Sequence, residues 1–461
     1  MIHKFKLQTN AILLLVLLLL VSACNTNYQH TDPVSFNKGW TFSKGSFTGA
    51  QALDFDDDSW RALDLPHDWA IEGPFDIKYN ARAGGLPFHG EGWYRKVFSL
   101  PKEAKGKHIT LHFDGAMYNA KVWLNGNLVG HRPNGYVGFT VDLSTYAKFH
   151  EKNVIAVQLS PEDLSSRWYP GAGIYRNTWL EINNAVHVAK WGTFIKTPKV
   201  TNELAEITIE TEIKNEGNIE QKIQLRTRIL DKNNKQVAVV VDLIEASAGS
   251  ITVVNQNTEV SQPEIWDLET PNLYTSVSEV IVDGDLMDRY KTSFGIRTIE
   301  YSADFGFKLN NKKTRFQGVC LHHDLGPLGT AVNERATERQ LEIMKDMGAN
   351  AIRTSHNPPS PEQVNLCDQL GLMIQVEAFD MWKKPKVENG YSKYYDEWHE
   401  RDLKDMIRAF RNNPSVVMWS IGNEILEQQD KVNGRVIAKE LATICKQDEV
   451  STFIVTILLS P

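Results

Sequence analysis

A largely apolar run that ends in polar side chains stands near the end of the sequence. Residues 416–421 are apolar apart from one serine, and Gly422 then leads into Asn423 and Glu424. Such a run fits a parallel strand covered on both faces, from whose carboxyl end the last two side chains project. A lone glutamate after a core strand would be interpreted as a surface residue, so the surrounding pattern decides between a surface and a site.

Three similar units precede this run, each a short strand followed by a helical pattern. The predicted strands and helices alternate, at 315–323, 338–348, 349–356, 361–370, 372–377 and 398–411. The strands end in His322, His356 and Glu377, with Arg353 just before the second histidine. Because the parallel strands of a (β/α) barrel present their carboxyl ends to one site, we expect these side chains to lie close together.

The part of the chain before residue 298 has the pattern of two β-sandwiches. Short alternating runs between residues 36 and 182 are separated by turn signals such as Asn125-Gly126. Longer runs follow from residue 186, and their spacing suggests an immunoglobulin-like sandwich. The predicted strands lie at 108–113, 120–124, 153–159, 178–182, 206–213, 222–230, 236–241, 250–254 and 273–282.

Length and composition agree with several soluble domains. A chain of 461 residues with 42% hydrophobic and 23% charged residues can bury two or three cores. The net charge of -7 and the lack of a Lys/Arg cluster give no reason to expect nucleic acid. The 12 tryptophans would suit a sugar-binding cleft, but they also fill sandwich cores.

The first residues have the pattern of an export signal. Two lysines precede an apolar run at 11–21, which is short for a membrane span, and Val21-Ser22-Ala23-Cys24 follows. This resembles a bacterial lipoprotein signal over residues 1–23, with lipid on the sulfur of Cys24. We therefore expect an exported lipoprotein, anchored to the membrane in the periplasm or at the cell surface. An uncleaved anchor helix and a plain secretory signal remain as alternatives.

The other three cysteines have no metal-ligand spacing. Cys320, Cys367 and Cys445 lie in strand or helix contexts typical of a core. We expect them to be buried and unpaired.

Eight short motifs occur in order along most of the chain. Those in the predicted barrel are Gly318-Val319-Cys320-Leu321-His322, Arg353-Thr354-Ser355-His356 and Trp419-Ser420-Ile421-Gly422-Asn423-Glu424. Those upstream are Pro66-His67-Asp68-Trp69, Gly92-Trp93-Tyr94-Arg95, Val122-Trp123-Leu124-Asn125-Gly126, Gly171-Ala172-Gly173-Ile174-Tyr175-Arg176 and Phe294-Gly295-Ile296-Arg297. Together they resemble glycoside hydrolase family 2, the β-galactosidase and β-glucuronidase family, from about residue 31 to about residue 450.

The resemblance implies a multi-domain β plus α/β fold. A jelly-roll β-sandwich is expected at 31–185, an immunoglobulin-like β-sandwich at 186–297, and a (β/α)8 TIM barrel from residue 298. The implied activity is retaining exo-hydrolysis of terminal β-galactosides, so a β-linked glycan is the expected partner. A β-glucuronidase is the alternative.

The resemblance also implies roles for the strand-end residues. Glu424 would be the acid/base, and Asn423 would hydrogen-bond the sugar 2-hydroxyl. His322 and His356 would contact the sugar or stabilise the transition state, although either alone could be structural. Arg353 would orient the nucleophile and balance its charge.

Three aromatic or acidic residues each allow two interpretations of their role. Glu377 either supports other groups as a hydrogen-bond acceptor or touches substrate. Trp168 and Tyr169 either flank the substrate or pack the domain interface.

Arg167 stands about where many members carry an aspartate that reaches the site, which puts the contact to the outer hydroxyls of the sugar in doubt.

A second departure concerns metal binding. Magnesium-dependent β-galactosidases carry a glutamate and a histidine roughly where Met381 and Lys383 stand here. Neither side chain suits a hard cation, so we expect no metal and no cofactor.

The predicted barrel is incomplete in this sequence. Residues 298–461 are far fewer than the roughly 250 of a typical barrel, and only four strands are clear, with 453–459 as a makeshift fifth. In the family the nucleophilic glutamate follows a later strand, so we expect a frameshifted or truncated, inactive chain. A natural short variant, acting as a carbohydrate-binding lipoprotein without catalysis, is the alternative from another class.

Overall fold

Two antiparallel sheets enclose the first apolar core of the computed structural model, which describes residues 32–430, 432–448 and 453–457. The strands are β1 Val34–Ser35, β2 Trp40–Lys44, β3 Arg61–Leu63, β4 Gly92–Ser99, β5 His108–Phe113, β6 Ala120–Leu124, β7 Asn127–Arg132, β8 Phe139–Asp142, β9 Lys152–Leu159 and β10 Thr178–Asn183. They form sheets of order β1-β10-β5-β8 and β3-β2-β4-β9-β6-β7. Trp40, Leu111 and Val157 bring both sheets into one core, which confirms the predicted jelly-roll sandwich. The predicted signal at 1–23 and Cys24 lie outside the described residues.

The second domain is the predicted immunoglobulin-like sandwich. Its strands are β11 Val186–Val200, β12 Leu204–Asn215, β13 Gln221–Leu230, β14 Gln236–Ala246, β15 Ser250–Ser261, β16 Tyr274–Val282 and β17 Asp285–Phe294. They form sheets of order β11-β12-β15 and β14-β13-β16-β17. Strict alternation along β12 buries Ile207, Ile209 and Ile213 against the facing sheet. A two-residue turn at Asp283-Gly284, with positive φ at both positions, joins β16 to β17.

The third domain combines a small antiparallel sheet with a parallel one. The antiparallel strands are β18 Ile299–Ser302, β19 Gly306–Leu309 and β20 Lys312–Lys313. The parallel sheet has the order β21 Gly318–Leu321, β22 Ala351–Thr354, β23 Met373–Glu377, β24 Val416–Asn423 and β25 Phe453–Ile457. The helices are α1 Glu334–Asp346, α2 Pro361–Leu370, α3 Tyr395–Phe410 and α4 Asn433–Asp448. This succession of strand and helix is the expected partial barrel.

Local capping chemistry sets the helix ends. The Ser360 hydroxyl accepts a hydrogen bond from the backbone of Gln363, Pro361 occupies the first turn of α2, and Gly371 ends that helix in the left-handed conformation. Helix α1 begins earlier than predicted because Asn333 caps it, and its first turn carries no apolar periodicity. None of the helices in the described part of the chain is long and apolar enough to cross a membrane.

The two faces of the parallel sheet have different surroundings. Ile374, Val376 and Trp419 pack against the helices. The other face borders an open cavity of about 260 Å³, and Cys320 lies there. The prediction that Cys320 is buried is wrong, because alternation along β21 turns its side chain away from the helices and leaves it exposed. Cys367 and Cys445 are buried in α2 and α4.

Candidate active site

The carboxyl ends of β22, β23 and β24 are joined by one arginine. Arg353 donates through Nη2 to both carboxylate oxygens of Glu377, at 3.0 and 2.9 Å, and to Asn423 Oδ1 at 2.8 Å. Burial by itself lowers the pKa of Arg353, but the negative charge of Glu377 opposes it and the net effect is a raised pKa. Three of the residues singled out in the sequence are therefore in direct contact.

Glu377 is fully buried, and its carboxylate is saturated with partners. Besides Arg353, the hydroxyl of Ser420 donates to Oε2 at 2.6 Å, and His356 Nδ1 lies 2.8 Å from Oε1. Its backbone N–H donates to Thr354 Oγ1 at 3.0 Å. Of the two predicted roles for Glu377, this arrangement favours the supporting acceptor.

Asn423 is fixed from its other side by Asp380. Its amide donates to Asp380 Oδ1 at 2.8 Å, and Lys386 Nζ donates to the Asn423 carbonyl at 2.7 Å and to Asp380 Oδ1 at 3.1 Å. Burial tends to raise the pKa of Asp380, but hydrogen bonds from Arg167 and Asn423 and the charge of Lys386 outweigh it and lower the pKa. Asp380 is therefore an ionised anchor for the strand end.

Arg167 reaches this cluster from the jelly roll. Its guanidinium forms a two-pronged pair with Asp380, at 2.9 and 2.6 Å, and Nη2 lies 3.6 Å from Glu424 Oε2. The Glu424 side chain is 40% exposed, so its carboxylate is accessible to solvent. The departure from the family pattern at Arg167 thus places a cation beside the predicted acid/base.

The backbone around Glu424 has an unusual local geometry. Glu424 has a φ of 43°, a conformation that side chains other than glycine rarely adopt. Gly422 has no room for a side chain, since a Cβ there would lie 2.6 Å from Ile425 and 2.9 Å from Trp382 Nε1. The chain therefore turns where β24 ends, and Glu424 lies in that turn.

Trp168 forms a wall over the two predicted histidines. Its ring stacks on His322 with centroids 5.3 Å apart and meets His356 edge-on at 5.6 Å. Burial, and then the charge of His356, lower the pKa of His322. Trp168 therefore lies at the site, whereas Tyr169 packs against the core of the jelly roll and donates its hydroxyl to Asp68 at 2.7 Å.

The two positions considered for a metal ligand have other surroundings. Met381 is buried, and Lys383 pairs with Asp396 at 2.7 Å. Within the described ranges, no group of three or more His, Cys, Asp or Glu side chains is arranged to hold a metal ion.

Sequence reasoning missed four residues at this site. Asp380 closely follows the predicted strand that ends at Glu377, so the strand-end pattern could have identified it as a site residue. Lys386 lies deep in the following loop, and Ser420 is hidden within an apolar run. Tyr136, which accepts a hydrogen bond from Trp168 Nε1 at 3.1 Å, comes from a turn in another domain and carried no signal.

His323, next to the site, gives the barrel a pH-dependent stability. Its Nε2 donates to the Pro170 carbonyl at 3.1 Å between Tyr136 and Tyr175, and burial lowers its pKa to about 3. The unfolded chain protonates this ring below about pH 6.5, while the folded chain does not. The stabilisation is therefore complete above pH 6.5 and is lost as the pH falls towards 3.

We expect wild type to lose about 2 kcal/mol of unfolding free energy between pH 7.5 and pH 5 relative to His323→Gln. Urea unfolding of both proteins at pH 7.5, 6.5 and 5 measures the difference. Parallel pH dependences would show that His323 does not titrate on unfolding.

Comparison with known proteins agrees with this arrangement. Three family models match in order: a Glycosyl hydrolase 2 galactose-binding domain-like region at 61–168, Glycosyl hydrolases family 2 at 186–297, and the Glycosyl hydrolases family 2 TIM barrel domain at 303–452. The glycosyl hydrolase family 2 member from Bacteroides cellulosilyticus, a solved structure, superposes with a TM-score of 0.90 at 38% identity. The match covers 93% of this chain and 56% of that one.

Two curated relatives extend the comparison. The β-galactosidase BoGH2A of Bacteroides ovatus is 46% identical over 412 residues, which are 89% of this chain and 48% of that protein. A putative β-glucuronidase of Formosa agariphila is 35% identical over 88% of this chain and 39% of its own length. The chain thus spans half or less of the length of these relatives. By its motifs, its three matched regions and its fold, the chain belongs to glycoside hydrolase family 2.

Proposed function

We propose that this chain supplies the acid/base part of the active site of a retaining exo-β-galactosidase that removes terminal β-galactose from oligosaccharides or polysaccharides. The observation that carries the proposal is the cluster of Arg353, Glu377 and Asn423 at three adjacent strand ends, with Glu424 exposed beside it. Barrel enzymes place their chemistry at these ends. The 46% identical β-galactosidase favours a galactoside as the substrate.

Each residue has a role in this proposal. Glu424 protonates the leaving oxygen and later removes a proton from the attacking water. Asn423, held between Arg353 and Asp380, donates to the sugar 2-hydroxyl. His322 and His356 line the sugar site under the Trp168 ring.

The nucleophile of a retaining reaction has no candidate among the described strand ends. Glu377 and Asp380 are both held by cations and by amide or hydroxyl donors, so neither carboxylate is available to attack a sugar. Retention requires a second carboxylate about 5–5.5 Å from the first. We therefore propose that the 461-residue chain alone does not hydrolyse glycosides.

A β-glucuronidase is the second candidate. The partly exposed cation Arg167 lies beside Glu424 at the proposed sugar site, and a guanidinium there could pair with a sugar carboxylate. The relative from Formosa agariphila, named a putative β-glucuronidase, points the same way. A third candidate, from another class, is a lipoprotein that binds carbohydrate without turnover.

The test uses the chain completed with the part of the Bacteroides ovatus relative that it does not match. Initial rates are measured on nitrophenyl β-galactoside and nitrophenyl β-glucuronide, with the unmodified relative as a control. Faster hydrolysis of the galactoside supports the proposal, and faster hydrolysis of the glucuronide supports the second candidate. A folded protein that binds either sugar without turnover would support the third.

We also propose that the mature protein is a lipoprotein, exported and anchored through Cys24. Several acyl chains on one terminus would hold it at a membrane, whereas one chain gives only marginal binding. We expect wild type to partition into detergent and Cys24→Ala to remain unprocessed. Mass spectrometry of the mature terminus measures this, and an unmodified terminus at another residue would refute it.

A further inference from the structure

Two charged side chains of the jelly roll bind the barrel loops that follow the predicted site histidines. We propose that Asp68 and Arg176 are positioning residues, which hold the loops beginning at His322 and His356 in place under Trp168. The catalytic meaning of this inference rests on the proposed function, but the contacts themselves do not.

Asp68 holds the first loop, which connects β21 to α1. Its carboxylate is 2% exposed, and Oδ2 accepts from the Thr330 backbone at 2.9 Å, from the Thr330 hydroxyl at 3.0 Å and from the Tyr169 hydroxyl at 2.7 Å. Oδ1 accepts from the backbone of Ala70 and Ala172, both at 2.9 Å. One buried carboxylate thus binds two segments of the jelly roll and one loop of the barrel.

The close approach of these segments leaves no room for other residues. Gly171 has a φ of 68°, and a Cβ there would lie 1.9 Å from Thr330 Oγ1. Gly329 has a φ of 64°, and a Cβ there would lie 2.5 Å from Asp68 Oδ2. Glycine is therefore required on both sides of the contact, which indicates a fixed geometry and not a loose surface contact.

Arg176 holds the second loop, which connects β22 to α2 and begins at His356. The guanidinium is 1% exposed and donates to the carbonyls of Pro358 and Pro359, each at 2.9 Å. It also donates to the Tyr136 carbonyl at 2.7 Å. Hydrogen bonds from a buried charged group are roughly twice as strong as neutral ones, so this loop is tied firmly to the jelly roll.

These two contacts assign a role to two sequence motifs that take no part in the chemistry proposed for the strand ends. Asp68 belongs to Pro66-His67-Asp68-Trp69, and Arg176 ends Gly171-Ala172-Gly173-Ile174-Tyr175-Arg176. Trp168 lies just before the second motif and touches both histidines. The same domain therefore supplies the aromatic wall and fixes the loops beneath it.

Hydrogen exchange of the 461-residue chain, followed by mass spectrometry, tests the inference. Asp68→Asn should speed exchange across residues 322–330 about tenfold or more, and Arg176→Gln should do so across residues 356–361. The side-chain NMR signals of His322 and His323 should shift in Asp68→Asn. Arg176→Lys, which keeps the charge and can still reach one carbonyl, should give an intermediate effect at 356–361.

The chain offers a matched control for each variant at the opposite end of the barrel. Asp368 is 2% exposed and accepts from the Ser415 backbone at 2.9 Å and from the Asn413 amide at 2.5 Å. Arg297 donates to the carbonyls of Pro414 and Val416, at 2.6 and 2.8 Å. Asp368→Asn and Arg297→Gln should lower the melting temperature without changing exchange at either site loop.

The inference fails if the controls accelerate the two loops as much as the test variants do, or if the test variants leave them unchanged. Should Asp68→Asn not fold, Thr330→Val removes a single bond to Asp68 and should speed exchange at 322–330 by a smaller factor. An inactive completed chain with the expected exchange pattern would overturn the proposed function and leave this inference standing. An active completed chain without the expected exchange pattern would support the proposed function and overturn this inference.

Discussion

Glu424→Gln is expected to slow hydrolysis of galactosides with poor leaving groups by about 10²–10⁴-fold in the completed chain. The reason is that the alkoxide of a natural sugar needs a proton from Glu424 as it departs. A nitrophenolate needs little protonation, so formation of the glycosyl intermediate from nitrophenyl β-galactoside should suffer far less. Single-turnover rates on lactose and on the nitrophenyl substrate measure the two effects separately.

Glu362→Gln is the control for this substitution, because Glu362 lies in α2 and its carboxylate accepts from Asn177 at the jelly-roll interface. We expect it to leave the ratio of the two rates unchanged. Equal losses on both substrates in Glu424→Gln would mean that Glu424 is structural.

Glu377→Ala is expected to lower the unfolding free energy of the barrel domain by about 3–5 kcal/mol. The substitution leaves Arg353 half-buried without its carboxylate and removes the acceptor of Ser420. Urea unfolding followed by tryptophan fluorescence measures the loss.

Glu279→Ala is a matched control, since Glu279 is also buried and pairs with Arg226, Arg228 and Arg289, but in the second sandwich. It should destabilise the sandwich and leave the barrel transition in place. A loss below about 1 kcal/mol for Glu377→Ala would mean that the Arg353 pair contributes little to the fold.

Periodicity predicted the elements whose apolar positions repeat regularly. Helix α2 has the predicted bounds because Pro361 and Gly371 mark its ends. Strands β5 and β6 also have the predicted bounds. Strand β11 was not predicted, because a bulge between Val188 and Thr193 breaks its alternation. The antiparallel strands before the barrel are too short to show a period.

The site was predictable where it depended on strand ends and not where it depended on loops. Arg353, Glu377 and Asn423 meet because parallel strands bring their carboxyl ends together. Tyr136 comes from another domain, so only the fold places it near the barrel, whereas the family resemblance had already indicated the position of Arg167. Cys320 was predicted wrongly because an apolar strand pattern does not tell which face of the sheet is covered.

Azide rescue of Glu424→Ala in the completed chain tests the acid/base assignment most directly. With nitrophenyl β-galactoside the variant should form its glycosyl intermediate and then stall, because water needs a general base to attack. Azide needs no base, so we predict that it restores turnover and that the product is β-galactosyl azide. A folded Glu424→Ala variant that azide does not accelerate, or that yields no glycosyl azide, would contradict the assignment of Glu424 as the acid/base.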